Sequence, residues 1–208
     1  MSISYKLISK FYGLLDVVYF KKNSKNPRFI LLNKIPDDNL KVLEIAVGTA
    51  KNSILLAKNK PKVNIIGIDS SEEMLKIAQE NIVKENIFNI ELVKMDGMKM
   101  TFNKSFDFII ISLLLHELEE GIANKILSEC SKVLKNNGKI LILEWDEPNK
   151  IIQKILYFMI KILEPKEFKQ FMKKDLKNYF LKNGFIVKEI EFGDYSKVIE
   201  LTKSATST

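Results

Sequence analysis

Five short apolar runs, at residues 41–46, 63–68, 90–94, 106–112 and 138–145, are separated by stretches of helical periodicity at 51–58, 71–84 and 121–136. Runs of this length suit β-strands, and the lack of strict alternation of apolar and polar residues means burial on both faces. Strands that alternate with helices pair in parallel, because each crossover lays its helix over the sheet. The pattern therefore predicts an α/β fold, doubly wound around a mostly parallel sheet. A chain of 208 residues with 46% hydrophobic content can bury one such core as a single domain.

A doubly wound sheet binds its ligand beyond the carboxyl ends of the strands. Polar or small residues fall at each of those ends: Glu44 to Ala50, Asp69, Asp96, Ser112 to His116 and Glu144 to Glu147. The first station, VLEIAVGTA, is a strand that breaks into a loop of small residues. A P-loop needs G-x-x-x-x-G-K-[ST], and Gly48 lacks that lysine register. A dinucleotide fingerprint needs three glycines, and Ala46 and Lys51 stand where two of them belong. What the loop does offer is Glu44 just ahead of the turn, with Asp69 at the next strand end. A carboxylate at the second strand end suits the two hydroxyl donors of a ribose. A carboxylate beside the first loop suits a cationic amino-acid head and repels phosphate. A nucleoside joined to an amino acid satisfies both.

In the order VLEIAVGTA, GIDSSEEML, KMDGMKM, FDFIIISLLLHEL and LKNNGKILILEW, residues 42–145 resemble the class I S-adenosylmethionine (SAM)-dependent methyltransferases. The resemblance implies a Rossmann-like, seven-stranded sheet with an inserted helical lid, and SAM as cofactor. Glu44, Gly48 and Thr49 match the family's first motif, whereas Ala46 and Ala50 replace glycines. By position, Asp69 would accept both ribose hydroxyls, with Ser70 and Met74 bordering the adenosine. Asp96 would take the adenine amino group, Gly97 would let the backbone approach the ring, and Met95 would offer an apolar face. Ser112 and Leu113 would line the methionine end through their carbonyls, and Ala46 and Gly48 would let the cofactor pass close over the loop. Read without the resemblance, Asp69 and Asp96 also suit helix caps or turns, and Met74 suits a core.

Methyl transfer from a sulfonium needs chiefly two aligned partners, and a base only where the acceptor must lose a proton. His116, just past the fourth strand, is the candidate base, with a backbone-bonded helix-start residue as the equal alternative. Glu117, Glu119 and Glu120 suit the first turn of a helix, and Cys130 falls on an apolar helix face. Trp145 ends the fifth strand on the acceptor side. The N-terminal stretch YKLISKFYGLLDVVYF is similar to the helix that closes over SAM in quinone and other small-molecule methyltransferases, which would turn Phe11, Tyr12 and Tyr19 toward cofactor or acceptor. A weaker resemblance is to methyltransferases found beside corrinoid proteins. Residues 151–163 form an apolar helical stretch, interrupted at Pro165 before a second helix, and suit a lid over the acceptor or a docking face for a protein partner. The expected parts are 1–36, helices closing the site; 37–147, the SAM-binding core; 148–175, the lid; and 176–203, a last helix with two antiparallel strands around a Gly-Asp-Tyr turn.

Composition narrows the alternatives. One histidine and one cysteine leave no protein-built metal site or internal disulfide. No apolar stretch has the roughly 18 residues of a membrane span, and the N-terminus lacks a cleavage signal, so a cytoplasmic protein is expected. The net charge of +7 comes from 33 basic and 26 acidic residues. Arg28 is the only arginine and the lysines are dispersed, which favours a solvated surface over a nucleic-acid groove. The reading is a methyltransferase acting on a small, partly apolar acceptor. Its alternatives are a catalytically weak SAM-binding protein, suggested by the two alanines, and a nucleic-acid or protein methyltransferase, suggested by the lysines.

Overall fold

The computed structural model describes residues 26–103, 106–148, 154, 157–158 and 165–205. Its elements run α1 (Pro27–Asn33), β1 (Lys41–Ile45), α2 (Lys51–Asn59), β2 (Asn64–Asp69), α3 (Glu72–Lys84), β3 (Ile90–Lys94), β4 (Phe106–Ser112), a 3-10 turn (Leu115–Glu117), α4 (Glu120–Val133), β5 (Leu134–Trp145), α5 (Lys166–Met172), α6 (Leu176–Lys182), β6 (Phe185–Phe192) and β7 (Ser196–Lys203). Local chemistry sets several of these starts. Asn26 caps α1 by accepting the Arg28 amide, with Pro27 in the first turn, where its missing N–H is not needed. Ser71 caps α3 by accepting the Met74 amide, and Glu72 and Glu73 complement the positive end of that helix. Asp175 caps α6 in the same way.

One seven-stranded sheet has the order β3-β2-β1-β4-β5-β7-β6. Strands β1 to β5 are parallel, while β7 runs antiparallel to both β5 and β6. The order reverses between β1 and β4, so their carboxyl ends splay their loops apart and open a crevice there. Successive residues of β1 serve opposite faces. Leu43 and Ile45 join Ile109, Ile111, Ile140 and Ile142 under the buried face of α4 and under α6. Val42 joins Ile65, Ile110 and Leu141 under α1 and α2. Burial on both faces is why these strands read as apolar runs.

The expected parallel α/β core and the closing antiparallel pair are both present, the latter joined at Gly193 to Tyr195 with Gly193 N–H donating to Ser196 O at 2.7 Å. Most boundaries fall within one residue of those expected, and one junction differs by more. The fourth helix stops at Val133 and β5 begins at Leu134, not at residue 138. Leu134 pairs with Phe106, and the register then shifts before Phe108 meets Lys139. The helix ends early because Leu134 is drawn into the sheet ahead of this irregularity. The N-terminal helix expected around Tyr12 and Tyr19 lies outside the described residues. So does the 151–163 helix, except Lys154, Tyr157 and Phe158. Among the described residues no helix is long and apolar enough to cross a membrane.

Candidate active site

The crevice at the reversal holds a cavity of about 300 Å³. Its floor is the loop after β1. Ala46, Gly48 and Ala50 all adopt the left-handed conformation, with φ of 52°, 54° and 60°. Alternation of left-handed residues coils the backbone tightly, so Ala50 N–H reaches Val47 O at 2.9 Å while Val47 N–H donates to Ile68 O of β2 at 2.9 Å. A methyl group at Gly48 would meet nothing nearer than Ala46 O at 3.9 Å, so it is the backbone angle that calls for glycine there. The loop thus presents main chain to the cavity.

Asp69 holds this loop to the next one. Its carboxylate accepts Gly48 N–H at 2.9 Å through Oδ2 and Ser71 N–H at 2.9 Å through Oδ1. Each oxygen keeps a second lone pair, which is what two vicinal hydroxyl donors require. Asn81 of α3 donates to Thr49 O at 3.0 Å and braces the loop from behind.

The other end of the cavity is charged. Arg28 Nε donates to Asn52 Oδ1 at 2.8 Å, and Asn52 Nδ2 donates to Glu44 Oε1 at 2.8 Å. Ser53 donates its hydroxyl to the other oxygen of Glu44. Glu44 is 1% exposed. Burial pushes its carboxyl above the usual range, opposed by the Ser53 and Asn52 hydrogen bonds and the charge of Arg28. A guanidinium, a buried carboxyl and an apolar middle suit a zwitterionic amino-acid end.

The residues expected at the site divide into three groups. Glu44, Ala46, Gly48, Thr49, Asp69, Ser70, Met74, Ser112, Leu113 and Trp145 line the cavity. Met95, Asp96 and Gly97 sit beyond the neighbouring strand end and do not; Asp96 instead accepts Met98 N–H at 2.8 Å, a turn role. His116 also stands behind the wall, 1% exposed, with its neighbour Glu117 on the cavity side. Tyr12 and Tyr19 lie outside the described residues.

Arg28, Asn52 and Glu117 also line the cavity, a placement the sequence did not reveal. The one usable signal was Arg28, the lone arginine of a lysine-rich chain.

The acceptor end is built where β4 and β5 finish. Leu113 takes φ of 51° and donates its N–H to Leu143 O at 2.8 Å, which turns the chain sharply into the 3-10 turn. Glu144 is fully buried; one oxygen accepts Leu115 N–H at 2.9 Å and the other is bonded to His116 Nδ1. Phe168 of α5 meets the imidazole edge-on, centroids 5.5 Å apart at 88°. Trp145 is 1% exposed and, with Leu113 and Leu114, gives this end an apolar wall. Cys130 lies on the buried face of α4, and burial pushes its thiol upward, away from nucleophilic use. No group of three or more His, Cys, Asp or Glu that could hold a metal occurs among the described residues.

Residues 42–138 match a family described as a methyltransferase domain. A demethylmenaquinone methyltransferase of Thermotoga maritima is 34% identical over 128 residues, 60% of this chain and 53% of that one. One of Listeria monocytogenes is 32% identical over 110 residues, 52% of this chain and 46% of that one, so the chain aligns with about half the length of these relatives. Among solved structures, a SAM-dependent methyltransferase from Aquifex aeolicus superposes with a TM-score of 0.74 at 20% identity, covering 96% of this chain and 98% of that one. A magnesium protoporphyrin IX methyltransferase from Synechocystis with bound SAH gives 0.67 at 16% identity, over 86% and 83%. At these identities the structural likeness speaks for the fold. The matched domain, the sheet order and the loop after β1 together make the chain similar to the class I SAM-dependent methyltransferases, by sequence over residues 42–138 and by fold over the whole sheet.

Proposed function

We propose that this chain binds SAM across the β1–β4 crevice and directs its methyl group to a small, partly apolar acceptor. The observation that carries the reading is Asp69, whose two oxygens anchor the β1 loop and the start of α3 while keeping lone pairs for a ribose. Bound SAM supplies an electrophilic methyl on a sulfonium, and the protein's task is placement. Ala46 and Gly48 keep side chains out of the cofactor's path, Met74 and Ser70 border the nucleoside, and Arg28 with Glu44 receives the amino-acid end. Asp96, Gly97 and Met95 edge the adenine from the adjoining strand end. Leu113, Leu114 and Trp145 exclude water and hold an apolar acceptor against the methyl. Residues 148–175 act as a lid, in which α5 brings Phe168 against the 3-10 turn. The curated relatives are named for demethylmenaquinone, which makes an analogue of that compound the first acceptor to try. The protein works in the cytoplasm.

Calorimetric titration of SAM and S-adenosylhomocysteine into the wild type and Asp69→Ala tests this. The substitution should weaken binding by about 1.5–3 kcal/mol, the loss of charge-assisted hydrogen bonds. Unchanged affinity would remove Asp69 from the ribose site. Tight cofactor binding with no turnover of any acceptor would instead favour a SAM-binding protein without catalysis.

A further inference from the structure

Three side chains form a line from the protein interior to the cavity. Glu144 on β5 is fully buried and bonded to His116 Nδ1. His116 Nε2 lies 3.9 Å from Glu117 Oε1, and Glu117 is on the cavity wall with its side chain 34% exposed. An ionised carboxylate accepts hydrogen bonds and cannot donate them. Both oxygens of Glu144 are engaged, one by Leu115 N–H and the other by the ring, so the ring nitrogen facing it carries the hydrogen. With Glu144 ionised, the imidazole is held as the Nδ1–H tautomer, and Nε2 is its basic atom, on the side of Glu117. Phe168 from α5 packs against the imidazole at nearly a right angle, with centroids 5.5 Å apart. A group that positions a histidine in this way is of use where a proton has to leave the reacting molecule.

We propose that Glu117, His116 and Glu144 form a proton relay, and that the acceptor is therefore one that loses a proton on methylation, a hydroxyl or an acidic ring position rather than a thiolate. This rests on the cofactor reading above. As the acceptor oxygen or carbon forms its bond to the methyl group, the carbon–sulfur bond breaks and its electron pair returns to sulfur. The acceptor's proton passes to the Glu117 carboxylate and, once rotation of that side chain brings Oε1 from 3.9 Å into hydrogen-bond reach, on to His116 Nε2. The resulting imidazolium lies between two carboxylates, Glu144 and Glu117. Glu117 is the catalytic residue of the three, and His116 and Glu144 position and hold the proton.

Because the chain has one histidine, its imidazole can be read without assignment ambiguity. The test is a long-range proton–nitrogen-15 NMR titration of the full chain, saturated with S-adenosylhomocysteine. Nδ1 is expected to stay protonated throughout while Nε2 gains and loses the proton. In Glu144→Gln the amide oxygen is needed by Leu115 N–H, so the amide nitrogen faces the ring and drives it to the Nε2–H tautomer. A wild type that is already Nε2–H, or a tautomer unmoved in Glu144→Gln, overturns the relay; the wild-type spectrum decides even if the variant does not fold. With 1,4-dihydroxynaphthalene as the hydroxyl probe, Glu117→Gln should lower kcat by about 100-fold or more with KM nearly unchanged, a far larger loss than on thiophenolate, which has no proton to give up. Equal losses on both probes would make Glu117 merely structural and overturn its role. Failure of the wild type to bind S-adenosylhomocysteine would sink the cofactor reading itself, and calorimetry detects that separately from any tautomer.

Discussion

Two alanines in left-handed backbone are the most costly single residues of the site loop. The left-handed region disfavours a residue with a Cβ by about 1–2 kcal/mol, and glycine gives part of that back through its freer unfolded chain. Ala46 is only half-buried, so Ala46→Gly should raise stability by about 0.5–1 kcal/mol. Ala50 is fully buried against Val47, Ala78 and Ile82, and losing its methyl removes about 0.8 kcal/mol of burial. Ala50→Gly should therefore come out near neutral, and urea denaturation of the pair would show whether the difference exists. Glu44 supplies a second residue-scale expectation. Its folded carboxyl is raised by burial, so its contribution to stability is fully present below the unfolded pKa and is lost as pH rises through the folded one. Gln at 44 can accept from Asn52 and donate to Ser53 with no charge to bury. The Tm of Glu44→Gln minus that of the wild type should grow as pH is raised above the ordinary glutamate range. A difference that is flat with pH would mean that Glu44 is not strained by its burial.

Elements position the loop as firmly as its own residues do. Gly67 in β2 lies beneath it, and an added Cβ there would come within 2.8 Å of Val47 Cγ2 and 3.1 Å of Leu92 Cδ2. Val47 is tied to Ile68 O and cannot move alone. Gly67→Ala should therefore cost about 1–3 kcal/mol of stability and also weaken S-adenosylhomocysteine binding. A stability loss with intact affinity would show that strand and loop shift independently. The strands themselves were legible in the sequence, because burial on both faces leaves apolar runs that need no partner to be seen. Asp69 and the β1 loop were legible for a related reason: the end of a parallel strand is where the chain must turn. The acceptor side was not. Glu117 reads as a helix-start residue, yet the break at Leu113 inserts a 3-10 turn that brings it to the cavity and sends His116 behind the wall. Arg28 meets Asn52 across 24 residues and Glu144 meets His116 across 28. Pairings of that range belong to the sheet order and leave no local pattern.

At the scale of the whole molecule, a site strung between β1, β2, β4 and β5 couples ligand binding to the stability of the sheet's centre. A ligand that binds only the folded chain stabilises it by about 2.7 kcal/mol at 100 times its Kd. For a chain of this length that corresponds to a rise in Tm of about 5–11 °C. S-adenosylhomocysteine should produce that rise, and NAD and ATP at the same concentration should produce almost none, since the β1 loop offers no lysine register for phosphates and Asp69 and Glu44 repel them. The net charge of +7 bears on a competing expectation. Lysines that hold a nucleic acid release counterions on binding, so affinity for RNA would fall by about 1,000-fold or more between about 50 and 200 mM salt if six or more phosphates were held. Some lysines among the described residues engage acids, as Lys34 does with Glu189, Glu191 and Glu200 and Lys197 with Asp146. The Tm rise with S-adenosylhomocysteine should therefore persist across that salt range. A larger rise with RNA, lost as salt increases, would move the function from a small acceptor to a nucleic acid.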